Sequence, residues 1–109
     1  MSLENHMDMY KIKPGCILVF NSTSDLPFVA KVKCMFDATD RIEKNIDRDI
    51  FIWDVGGPNC KNIRIRYDLY VHSLNHWRKS PAAFSLSSNS HKLTDILTER
   101  QFELIKRIN

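Results

Sequence analysis

Between Asn62 and Leu74 the chain alternates residue by residue: Ile63, Ile65, Tyr67, Leu69 and Val71 against Arg64, Arg66, Asp68, Tyr70 and His72. A period of two places each set on one face of a strand, so Arg64, Arg66, Tyr70 and His72 project together. Cationic side chains beside an aromatic ring make a surface that pairs with phosphates and stacks a base. Lys31 and Lys33 join that surface if the segment from Pro27 to Phe36 pairs next to this strand, and Arg78-Lys79 extends it. The candidate nucleic-acid-binding residues are therefore Lys31, Lys33, Arg64, Arg66, Tyr70, His72, Arg78 and Lys79. The same residues also fit two other roles. One is a solvated outer face, with Tyr70 lying flat and Arg64 and Arg66 paired with acidic neighbours. The other is a basic patch for an acidic protein surface.

Other chemistry finds less support. His72 and His76 stand four apart, a metal-binding spacing on a helix, but His72 falls in a strand and no third ligand is near in sequence. Cys60 with His72 or His76 is the one thiol–imidazole pairing the sequence offers. Asp54 and Asp68 converge only if the fold happens to bring them together. Gly56-Gly57 lacks the Gly-Lys-Ser/Thr ending of a phosphate loop. The expectation is a non-catalytic protein with no metal and no cofactor.

Charge is segregated along the chain. Residues 36–54 hold six acids against three bases, and residues 61–79 hold five bases against one acid, within a formal net charge of +3. That balance admits nucleic acid without requiring it. The three cysteines, Cys16, Cys34 and Cys60, form no CxxC pair, which argues against a disulfide framework and a zinc knuckle and fits a reducing, cytoplasmic setting. Asn21-Ser22-Thr23 matches the glycosylation pattern, which in that setting is a chance match. Ile and Asn are frequent and Ala scarce, the habit of AT-rich genomes, bacteriophages among them; a phage protein would work in the host cytoplasm. No apolar run reaches the roughly 20 residues of a membrane span.

The elements that must position these groups are short. Residues 1–8 read as a disordered tail or a remnant of cloning, and 9–109 as a single small domain. Lys13-Pro14-Gly15 is a turn signal before an apolar strand, Cys16–Phe20. The segment Pro27–Phe36 alternates, with Phe28, Ala30, Val32, Cys34 and Phe36 on one face and Val29, Lys31, Lys33 and Met35 on the other. The charged stretch 37–48 is a short helical turn or an acidic hairpin loop. Residues 49–55 read as a strand covered on both sides, and Gly56-Gly57-Pro58-Asn59 as a turn. Residues 81–86 form a brief fifth strand, and 87–91 a loop. Thr98 and Gln101 spell a capping box, with Leu97 and Phe102 placed as a hydrophobic staple, so a helix runs to the C-terminus.

These elements predict a mainly β (α+β) fold: a small curved antiparallel sheet or barrel of 4–5 strands with one C-terminal helix. The opening Lys13-Pro14-Gly15-Cys16-Ile17-Leu18 is loosely similar to that of SH3-like barrels, a resemblance that covers the β part and implies a binding fold. The expected function is a binding module for nucleic acid or a nucleic-acid-associated complex. The alternative is a protein–protein adaptor that uses the acidic segment or the exposed side of the terminal helix. Neither reading involves a membrane.

Overall fold

The computed structural model describes residues 11–22, 26–52, 62–86 and 92–108, with residues 107 and 108 described by backbone alone. Among the described residues eight strands and one α-helix follow in order: β1 (Lys11–Ile12), β2 (Ile17–Phe20), β3 (Phe28–Asp37), β4 (Lys44–Asn45), β5 (Ile50–Phe51), β6 (Ile63–Val71), β7 (His76–Ser85), β8 (Leu93–Leu97) and α1 (Glu99–Ile108). The main sheet runs β7-β6-β3-β2-β8, antiparallel throughout, with β4 paired to the end of β3, and β1 and β5 form a separate two-stranded ladder.

The turn before β2 forms at Gly15, whose φ of +94° suits a residue without a Cβ. Cys16 N–H closes it onto the Lys13 carbonyl at 3.2 Å. Gly15 and Cys16 then exchange hydrogen bonds with Val32, extending the β2–β3 pairing. The Cys16 side chain is buried at the start of β2, and burial pushes its thiol above the ordinary value.

The sheet curls strongly. Phe20 on β2 and Phe84 on β7 meet with ring centres 5.4 Å apart, although β3 and β6 lie between their strands. In a flat sheet that separation would be roughly 14 Å. Irregular pairing at Val32/Cys34, Arg66/Asp68 and Val19/Phe20 supplies the bends that curl requires. The curl stops short of closure: among the described residues β7 pairs only with β6, and β8 only with β2. The architecture is thus mainly β with one C-terminal helix, as expected. It is an open sheet rather than a closed barrel, and it has more than the 4–5 strands expected.

Each side of the sheet has its own core. On the concave side Leu18, Phe20, Val32, Met35, Ile63, Ile65 and Leu86 pack together, covered by Ile12 and Ile50 of the β1–β5 ladder. On the convex side Ile17, Val29 and Tyr70 pack against Phe102 of α1, with Val19, Trp77 and Leu97 around them. A helix of ten residues is marginal alone, so this docking and its cap sustain it. The cap is the expected one: Gln101 N–H donates to Thr98 Oγ1 at 3.1 Å, and Thr98 N–H to Gln101 Oε1 at 2.8 Å. Leu97 and Phe102 share one cluster, as a staple requires.

Several local expectations change. The irregularity after Val32 shifts the alternation of β3 by one position. Met35 therefore pairs with Ile65 on the concave side, while Cys34 and Phe36 stand opposite Arg66 and Arg64 on the convex side. The stretch 37–48 is a hairpin: a 3-10 turn at Thr39–Arg41 leads into β4, which pairs back onto β3. Only Ile50 and Phe51 of the 49–55 segment are in a strand among the described residues. Trp53, the Gly-Gly-Pro-Asn turn and Cys60 lie outside them. The long strand ends at Val71, and His72–Leu74 form a 3-10 turn closed by left-handed Asn75. The brief fifth strand is instead ten residues long, His76–Ser85, and Leu93–Leu97 is a strand the sequence did not announce.

Candidate nucleic-acid interface

The convex face has two halves. α1 covers the half over Ile17, Val29, Tyr70 and Trp77. The other half, where β3, β6 and β7 run side by side beyond the helix, carries the charged groups.

Cross-strand register assembles this second half. Arg64 stands opposite Phe36, Arg66 opposite Cys34, and Asp68 opposite both Lys31 and Lys79. Arg66 is held twice: Nη2 donates to both Glu43 carboxylate oxygens at 3.1 and 3.2 Å, and its guanidinium lies 4.8 Å from the centre of the Phe36 ring. Lys33 Nζ sits 3.3 Å from Asp68. Arg64 and Lys79 are exposed and make no ion pair among the described residues. Lys33, Cys34, Arg66 and Lys79 line a groove of about 520 Å³ with Tyr67, Ser80 and Pro81. The groove follows the irregular stretch of β6–β7 pairing, where Ser80–Ala82 of β7 bow out between the Arg66–Ala83 and Asp68–Lys79 pairs.

The other expected residues lie elsewhere. Lys31 is under the edge of α1, its Nζ 3.0 Å from Glu99 and 4.6 Å from the centre of the Trp77 ring. Tyr70 shares the face of Arg64 and Arg66 but is only 8% exposed. It packs edge to face on Phe102 at 5.0 Å and on Trp77 at 5.1 Å, and its hydroxyl donates to Asn75 Oδ1. The Tyr70 ring is therefore not open for a base to stack on. His72 is on the 3-10 turn, where Nε2–H donates to the Pro27 carbonyl at 2.9 Å. Arg78 pairs with Leu69, which puts it on the opposite face from Lys79. The structure thus brings Lys33, Arg64, Arg66 and Lys79 together, and separates Lys31, Tyr70, His72 and Arg78 from them.

Glu43 and Asp68 organise this surface, and neither was among the candidate nucleic-acid-binding residues. The signal for Glu43 was the acidic stretch 36–54 facing the basic stretch 61–79. The hairpin at 37–45 folds the first against the second, so part of the charge segregation is used within the molecule. No three His, Cys, Asp or Glu side chains gather as metal ligands among the described residues. No helix among them is long and apolar enough to cross a membrane. Comparison with known proteins finds no matching family model, curated protein or solved structure.

Proposed function

We propose that this chain is a non-catalytic binding module that takes the phosphate backbone of nucleic acid on the uncovered half of its convex face. The observation that carries this reading is the groove lined by Lys33, Arg66 and Lys79, with Arg64 beside it. Four cations stand there against the carboxylates of Glu43 and Asp68, and two of the four have no acidic partner among the described residues. Phosphate charge supplies most of the affinity of such a surface, and backbone contacts of this kind read little sequence. The unpaired thiols of Cys16 and Cys34 support a reducing cytoplasmic setting for it.

Fluorescence anisotropy with short labelled single- and double-stranded DNA and RNA tests this reading. Binding should be present at about 50 mM salt, fall steeply by about 200 mM, and vanish in the Arg64→Ala/Arg66→Ala double variant. No binding to any of the four at the lower salt overturns it.

A protein-interaction adaptor is the second reading, favoured by an apolar groove of about 470 Å³ beside α1. Leu26 and Ile105 line it while 53% and 43% exposed. An adaptor would retain a partner after nuclease treatment and in the Arg64/Arg66 double variant.

A further inference from the structure

Four rings meet around an opening on the concave side. Phe20 lies 5.7 Å from Phe28 and 5.4 Å from Phe84, and Tyr67 lies 5.8 Å from Phe28 and 4.9 Å from Phe84, centre to centre. Every pair is tilted or edge to face, the arrangement aromatic quadrupoles favour. Phe20 is buried, whereas Phe28, Tyr67 and Phe84 are each only half-buried. The rings surround a concavity of about 510 Å³ instead of filling it. That volume falls in the range of small-molecule sites, roughly 300–1,000 Å³.

Among the described lining residues the only charge is that of Lys92. The polar residues of the rim are Asn21, Ser22 and Lys92, and no carboxylate is among the described lining residues. Asn21 N–H donates to the Lys92 carbonyl at 2.7 Å, which ties the two rim segments together. Lys92 is exposed and has no ion pair among the described residues. Ring walls accept a planar apolar body, and the one cation among the described lining residues, Lys92, favours an anionic substituent on it. The geometry points to a binding site for a planar ring that carries an anionic group, the chemistry of a nucleoside monophosphate. The ring inserts among Phe20, Phe28, Tyr67 and Phe84, and the phosphate pairs with Lys92. This site is separate from the convex groove: Tyr67 is the only described residue that borders both.

The test is an NMR titration of the isotope-labelled full chain with AMP, following the ring resonances of Phe20, Phe28, Tyr67 and Phe84. Saturable shifts of these rings are expected. Adenosine without the phosphate should bind about tenfold more weakly, and Lys92→Ala should cost AMP about the same factor, the scale of one charge-assisted contact. Lys92 is exposed, so the variant tests the site without disturbing the core. Phe84→Leu keeps apolar bulk and should weaken AMP and adenosine alike. An oligonucleotide with a 5′-phosphate that displaces AMP from the rings would identify a strand end as the source of the ligand; failure to displace it would identify the free nucleotide. The Arg64→Ala/Arg66→Ala variant should leave AMP binding unchanged, so this site and the convex groove fail or succeed independently. Unmoved rings at several millimolar AMP, shifts confined to Lys33, Arg66 and Lys79, or equal affinity for AMP and adenosine would each overturn the proposal.

Discussion

Lys31 Nζ lies 3.0 Å from Glu99 Oε1, so a cation in the middle of the sheet holds the first residue of α1. The same ammonium lies 4.6 Å from the centre of the Trp77 ring on β7. One side chain thereby joins β3, β7 and the helix. The lysine is only 22% exposed and the glutamate 61%, so the two partners should not be equivalent. Glu99→Gln should cost about 0.5 kcal/mol and lose its effect in high salt, as exposed pairs do. Lys31→Ala also removes the stem packing and the ring contact, and should cost about 1–2 kcal/mol even in high salt. Urea unfolding at low and high ionic strength measures both.

The Arg66–Glu43 contact competes with phosphate for one guanidinium. Glu43→Gln should therefore strengthen nucleic-acid binding by about twofold to tenfold and steepen the dependence of log K on log salt by about one. Arg64→Ala should weaken binding and reduce that slope by about one. Anisotropy titrations across a salt series read both, and an unchanged slope in Glu43→Gln would place the phosphate away from Arg66.

Asp37 gives the fold an acid-sensitive joint. Its Oδ1 accepts from the Thr39 hydroxyl and from Thr39 N–H at 2.9 Å, which holds its carboxyl below the usual aspartate value. The folded value is thus lower than the unfolded one. The stabilisation is complete above the unfolded value of 3.8 and disappears as pH falls through the folded one. Thr39→Val should be less stable than the parent at neutral pH. The gap should close on acidification, as followed by urea midpoints across an acid pH series.

Gly15→Ala tests backbone conformation alone. A Cβ at Gly15 would meet nothing within 4 Å, but φ is +94°. The cost should be about 1 kcal/mol, seen as a lower urea midpoint with an unchanged slope.

What was legible in the sequence is what depends on near neighbours in the chain. Thr98 and Gln101 are three residues apart and fix the start of α1 without help from the sheet. Arg64, Arg66 and Asp68 share a face because two-residue alternation survives intact along most of β6. Lys33 marks where this kind of reading fails. The irregular pairing beside it is a relation between β3 and β6, and nothing within β3 announces that Met35 and Phe36 exchange sides. Tyr70 reads correctly as a member of the basic face, but the helix that buries it comes from more than twenty residues further along. β7 was shortened because Pro81 and its serines look like a loop. An edge strand tolerates proline, having a side free of ladder bonds. β8 is short and polar at Thr94 and Asp95, and becomes a strand because β2 offers it an open edge.

That β2–β8 ladder also joins segments far apart in the sequence. Ile17 pairs with Leu97, and Phe20 with Leu93, so a strand near one end of the sequence waits for one near the other. Until those residues arrive, the outer edge of Ile17–Phe20 has no ladder partner, and α1 cannot yet shield Ile17 and Val29. Pairings between distant parts of a chain form slowly. Any chain in which the β2–β8 ladder is still open therefore exposes a hydrophobic edge to other chains, and closing the ladder removes it.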